Sequence, residues 1–134
     1  MANKKITSGK RKTSVAKASL TEGNGKVTLN KRDYKNLNFF DKLKIEEPLR
    51  IYENIIGKIN FDVAIIIRGG GEKSQIDAAR IALSRALVEF TKSEKLKKFF
   101  LDYDKQMLIA DVRRKESYKP GDSKARRKRQ KSFR

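Results

Sequence analysis

The chain contains neither cysteine nor histidine. This excludes disulfides, thiolate or imidazole metal sites, and the usual histidine-based acid/base and triad chemistry. Any catalysis would rest on carboxylates or lysine alone. No stretch approaches the roughly 20 apolar residues needed to span a bilayer, and the basic N-terminal segment lacks the apolar core of a signal peptide. These features predict a soluble intracellular protein with no membrane partner, small-molecule substrate, cofactor or metal. Acidic residues are scarce at both ends: residues 1–17 hold 6 basic and 0 acidic side chains, and residues 113–134 hold 11 and 2.

Basic charge is what the chain has in excess. In 134 residues, 34 Lys and Arg stand against 16 Asp and Glu, a formal net charge of +18. Solubility requires far less, so the expected partner is a polyanion. The middle, residues 18–112, is nearly balanced, with 17 basic and 14 acidic side chains. A folded domain over 1–112 is therefore spared most self-repulsion, and the ends carry the polyanion affinity. In residues 113–134 only Tyr118, Ala125 and Phe133 are hydrophobic. That is too little to offset a backbone ordering cost of about 1 to 2 kcal/mol per residue, so this arm is expected to be disordered when free.

Between the ends the pattern predicts one α+β domain, a single mixed sheet packed against helices. Ile6 to Leu20 suits a strand broken near Ser8-Gly9-Lys10, and Gly23-Asn24-Gly25 suggests a hairpin into Val27 and Leu29. Asn30 is placed to cap a short helix from Lys31, residues 36–40 read as a loop or short extended piece, and Pro48 fits the first turn of a helix ending near Ile56 and stopped by Gly57. Residues 59–67 put Ile59, Phe61, Val63, Ile65 and Ile67 on one face and Ala64 and Ile66 on the other, which predicts a strand buried on both sides near its end. A helix over 72–91 carries Ile76, Ala79, Leu83, Ala86, Leu87 and Phe90 as one stripe. Ser93 caps a further helix bearing Leu96, Phe99, Phe100 and Leu101, and Met107 to Val112 reads as a last extended piece. Most phenylalanines are expected in the core.

Several motifs have both a functional and a plain reading. Gly69-Gly70-Gly71, with Arg68 and Lys73 beside it, could aim amides and a helix N-terminus at a phosphate, or could simply be a tight connection. It is not a nucleotide-binding P-loop, because Glu72 stands where that loop needs glycine before its lysine, and the dinucleotide pattern lacks its third glycine. Arg80 and Arg85 lie on the polar side of the 72–91 helix, where pairing with Asp77 or Glu89 would explain them equally well. Lys10, Arg11 and Lys12 form a compact cationic cluster beside Gly9 and Thr13, suited to a phosphate backbone. The run Lys124 to Lys131 suits an RNA arm, a nuclear localisation signal or a DNA tether. A DNA-compacting basic protein thus remains open on composition. So does a carboxylate nuclease using Asp102, Asp104 and Asp111, although no other acidic motif converges on them.

Three segments in order, SGKRKTSVAKA at 8–18, RGGGEKSQIDAARIALSRAL at 68–87 and DVRRKESYKPGDSKARRKRQKSFR at 111–134, give the chain a resemblance to a known family. It resembles the family of the ninth protein of the small ribosomal subunit over nearly its whole length. The ending QKSFR is similar to the QKSYR of the archaeal and eukaryotic cytosolic branch. The resemblance implies a non-enzymatic βαβ-type domain in the subunit head of cytoplasmic ribosomes, bound to ribosomal RNA beside neighbouring head proteins. It also implies a C-terminal tail threading toward the peptidyl-site tRNA, near the anticodon stem and loop. With the motifs above, the candidate rRNA contacts are Lys10, Arg11, Lys12, Arg68, Gly69, Gly70, Gly71, Lys73, Arg80, Arg85, Arg113, Arg114, Lys124, Arg126, Arg127, Lys128 and Arg129. The candidate tRNA contacts are Lys131, Ser132, Phe133 and Arg134. The chain departs from the family at Ser74, where many members have glycine, and at Phe133, which keeps an aromatic ring but lacks the hydroxyl of the commoner tyrosine.

Overall fold

A computed structural model describes residues 4–121, 124–128 and 132. One five-stranded mixed sheet is built from β1 (Lys5–Arg11), β2 (Ser14–Glu22), β3 (Val27–Leu29), β4 (Arg32–Asp33) and β5 (Phe61–Arg68), in the order β1-β2-β5-β3-β4. Three helices, α1 (Phe39–Ile55), α2 (Glu72–Thr91) and α3 (Glu94–Tyr103), complete the α+β fold. β3 and β5 run parallel with α1 between them in sequence, which is the βαβ unit, and the remaining pairings are antiparallel.

The core follows from strict alternation. Ala16, Ala18 and Leu20 of β2 stand opposite Ile67, Ile65 and Val63 of β5, and all six are buried under the helices. α2 supplies Ile76, Ala79, Leu83, Ala86 and Leu87, as its stripe predicts, and also buries Ala78, Ile81, Ala82 and Ser84, because it contacts the sheet and both other helices. Its small residues let it approach β1 closely. A Cβ on Gly9 would lie 2.4 Å from the Ala78 carbonyl oxygen, so only glycine admits the helix backbone there. Next to it, Thr7 Oγ1 donates to the Ala82 carbonyl at 3.0 Å. Ser93 caps α3 by accepting from the Leu96 amide, as expected.

Elsewhere the structure corrects the sequence reading. The break in the first strand falls at Lys12-Thr13, not at residues 8–10; Lys12 takes φ 52°, and Gly9 continues the strand to serve packing. The chain after Gly23-Asn24-Gly25 does not form a hairpin with β2. It passes the end of β5, where Asp62 accepts from the Asn24 and Lys26 amides at 2.9 Å each, and enters the sheet on the far side of β5. Those bonds, led by the Lys26 amide, hold the Asp62 carboxyl below its ordinary pKa.

Asn30 does not cap a helix. It and Lys31 have positive φ in the two-residue turn joining β3 to β4, the geometry of a tight hairpin. Its side chain accepts from the Ile67 amide at 2.9 Å. Pro48 lies in the interior of α1, which begins nine residues earlier, at Phe39. Burial of Ile45, Leu49, Ile51 and Tyr52 along one helix outweighs the lost backbone bond. Met107 to Val112 is not a strand: Met107 closes a 3-10 turn, and the Leu108 carbonyl is taken by Arg85 instead of a neighbouring strand. Phe61 and Phe100 are buried, but Phe39 and Phe40 are 69% and 73% exposed on α1, and Phe99 is also exposed. Most important for function, β5 is not buried on both sides. Ala64 is exposed and Ile66 is 56% exposed, so the sheet face opposite the helices is open.

Candidate nucleic-acid interface

Because strand residues alternate between faces, the core pattern of β2 and β5 determines what the open face carries. The register aligns Lys10, Val15 and Arg68 in one row across β1, β2 and β5, and Ser8, Lys17 and Ile66 in the next. A third row runs Ile6, Ser19, Ala64 and Thr28, and Thr21 pairs with Asp62 beyond it. The basic end of this face adjoins Lys12 at the tip of the β1-β2 turn and the glycine loop after Arg68. Lys10, Lys12, Lys17 and Arg68 are exposed, and none of them takes part in an ion pair among the described residues. They are cations left available to an external anion.

The glycine loop is held by the chain itself. Gly69 and Gly70 have φ of 76° and 67°, and a Cβ on Gly70 would lie 2.0 Å from Ser14 Oγ. Fully buried Ser14 donates to the Gly69 carbonyl at 2.9 Å, and its hydroxyl lies 2.8 Å from that of Ser74. The Gly71 amide donates to Ser74 Oγ at 3.2 Å, and Gln75 Nε2 donates to the Gly69 carbonyl at 3.0 Å. Backbone conformation and this close approach explain Gly69 and Gly70 without an anion, whereas Gly71 has extended backbone and open space where a Cβ would stand. Ser74, the departure from the resembled pattern, binds back to Gly71, accepting from its amide and lying 2.9 Å from its carbonyl oxygen, the reciprocal half of a capping box.

Several other candidate cations already have partners within the fold. Arg80, whose side chain is 16% exposed, bridges Glu47 at 2.7 Å and Asp104 at 3.2 Å. Arg85 donates to the Leu108 and Ser8 carbonyls at 2.7 and 2.9 Å, tying the segment after α3 to β1. The pairing foreseen for these two with Asp77 or Glu89 is replaced by these longer-range contacts. Lys73 reaches buried Asp41 at 3.1 Å.

Arg11 and Arg113 converge on Asp111, whose side chain is 8% exposed. The Arg113 side chain, then the Arg113 amide, then Arg11 hold the Asp111 carboxyl well below the usual carboxylate range. Asp111 thereby fastens the start of the basic segment to β1, a role the sequence reading missed because it treated this acid only as a possible metal ligand. Arg114 donates to the Asp111 and Arg113 carbonyls. Asp104 and Asp111 are thus both engaged by arginines.

In the C-terminal segment Arg126 forks onto Glu116, with Nη2 at 2.8 Å, and lowers the pKa of that carboxyl. Lys124, Arg127, Lys128 and Ser132 are exposed. Arg129, Lys131, Phe133 and Arg134 lie outside the described residues. The sequence reading missed Lys17, Ser8 and Ser19. Their signal is the alternation of β2 itself: Ala16, Ala18 and Leu20 inward implies Val15, Lys17 and Ser19 outward.

The family model described as ribosomal protein S9/S16 matches residues 9–134. The chain is 44% identical over 131 residues to small ribosomal subunit protein uS9 of Methanococcus vannielii, covering 96% of each chain. The same protein of Methanococcus maripaludis is also 44% identical, with the same coverage. That of Desulfurococcus amylolyticus is 42% identical over 130 residues, 96% of this chain and 91% of its own. The chain belongs to the ribosomal protein S9/S16 family, in its archaeal-type branch.

Proposed function

We propose that this protein is a structural, non-catalytic constituent of the small ribosomal subunit in the cytoplasm. In this reading it binds rRNA in the subunit head through its unpaired cations and C-terminal segment, beside neighbouring head proteins, and its last residues reach the peptidyl-site tRNA. The observation that carries the reading is the near-complete alignment with relatives named small ribosomal subunit protein uS9. The charge supports it: the basic end of the sheet and the 11 basic residues in 113–134 are what a phosphate backbone requires.

Lys10, Lys12, Lys17 and Arg68 contact rRNA in this mechanism, with Arg114, Lys124, Arg127, Lys128 and Arg129 extending the track. Arg11, Lys73, Arg80, Arg85, Arg113 and Arg126 act first on the fold, holding the elements that present the others. Lys131, Ser132, Phe133 and Arg134 meet tRNA through its backbone, without reading sequence, because every tRNA must be accepted. Each neutralised phosphate releases counterions. With about six phosphates contacted, the slope of log K against log salt is roughly −4 to −5.

Reconstituted subunits carrying a chain truncated after Arg129 test the tail assignment. They are expected to assemble normally and release peptidyl-site tRNA faster. Retention equal to that of the full-length protein would refute the tRNA role, and a salt slope near zero would refute phosphate binding.

A further inference from the structure

We propose that the open face of the sheet seats the shallow minor groove of an RNA double helix. The inference rests on reading the chain as an rRNA-binding protein and specifies which form of RNA this face takes. Lys10 and Arg68 flank the face two strand intervals apart, roughly 10 Å at the usual strand spacing, and Lys17 stands between them in the adjacent row. None of the three is committed to a carboxylate among the described residues. The acids on this face lie away from these cations: Asp62 at the opposite end is engaged by backbone amides, and Asp33, beside Thr28 on the far edge strand, accepts from the Lys35 amide at 3.1 Å.

The side chains beyond this basic end select the partner. Ser8 presents a small hydroxyl able to donate to and accept from a ribose 2′-hydroxyl, and Ser19, whose hydroxyl donates to the Ala64 carbonyl at 3.3 Å, can accept from one. Ile66 sits on the central strand, exposed, and serves nothing in the core; a ribose surface beside the phosphates held at the basic end would cover it. The rows of this face contain no aromatic ring. Splayed single-stranded bases therefore have no stacking platform here, unlike on sheets that read unpaired RNA. A flat surface with cations gathered at one end and hydroxyls beside them matches A-form RNA, which exposes riboses next to its phosphates in a wide minor groove.

The absence of cysteine makes the test direct. Ser8→Cys and, in a second protein, Ser19→Cys each accept one tethered iron chelate, and each is assembled into small subunits before hydroxyl radicals are generated. Both probes are expected to cut one rRNA duplex on both strands across its minor groove. Ser117→Cys in the basic segment provides the reference. If Ser117→Cys cuts rRNA while both sheet probes are silent, a protein neighbour or solvent covers the face, and the proposal fails while the rRNA reading stands. Cuts from the sheet probes confined to unpaired loops overturn it in favour of single-stranded RNA. If no probe cuts rRNA in incorporated protein, both the rRNA reading and this proposal fall.

Discussion

The two faces of one sheet follow opposite rules. Under the helices, β2 and β5 present alanine, leucine, valine, isoleucine and phenylalanine packed so closely that Gly9 cannot carry a methyl group. On the open side the same strands present lysine, arginine, serine and threonine around a few uncovered apolar residues. The candidate cations divide in a related way. Arg11, Lys73, Arg80 and Arg113 are paired with carboxylates, and Lys10, Lys17 and Arg68 on the open side are not, among the described residues. Charge alone therefore does not mark a binding residue in this protein; an arginine between two carboxylates contributes to the fold, and one on a bare strand face is available to a ligand.

The sharpest break of this contrast is a methyl group on each face. Gly9→Ala forces β1 away from α2 and is expected to cost about 1 to 3 kcal/mol in urea unfolding. Ser8→Ala, its neighbour on the open face, should stay within about 0.5 kcal/mol. Equal effects would mean that the two faces are not packed as described. Next in size, Arg80→Ala leaves Glu47 and Asp104 facing each other and should destabilise by about 1 to 3 kcal/mol, with no change in the salt slope of RNA binding.

The reverse is expected on the open face. Replacing Lys10, Lys17 and Arg68 together by alanine should leave the unfolding midpoint nearly unchanged and flatten the salt slope by roughly 2 to 3, at about 0.7 to 0.9 per lost phosphate contact. A large loss of stability would place these residues with the paired class. The smallest effect belongs to the anchor: Asp111→Asn should leave the core intact and speed proteolytic cleavage near Arg113 and Arg114. Because the native carboxyl has a depressed pKa, its contribution is complete above the unfolded value of about 4 and declines as pH falls below it. The wild-type advantage over Asp111→Asn should accordingly shrink in acid and hold constant from pH 5 to 7.

Much of this was legible from local pattern. The α2 stripe, the Ser93 cap, the inward residues of β5 and the basic ends each depend on periodicity or charge that neighbouring residues express by themselves. Pro48 misled because a proline suits a helix start, and only the burial of Ile45 and Leu49 shows that α1 already runs through it. Gly23 to Gly25 misled because a turn signal does not say which strand the chain will join. The candidate site was half legible: Lys10, Lys12 and Arg68 stood out as cations, but Arg11, Arg80 and Arg113 looked the same in sequence.

By itself the sequence determined the excess of basic charge, the absence of cysteine and histidine chemistry, the periods of the main helix and central strand, and the motifs that mark the family. Tertiary structure decided the strand order, the open face, and which cations are already neutralised. The reason is physical. Periodicity and composition act within a few residues along the chain, whereas the pairings of Arg11 with Asp111 and of Arg80 with Glu47 and Asp104, like the insertion of β5 between β2 and β3, join residues distant in sequence.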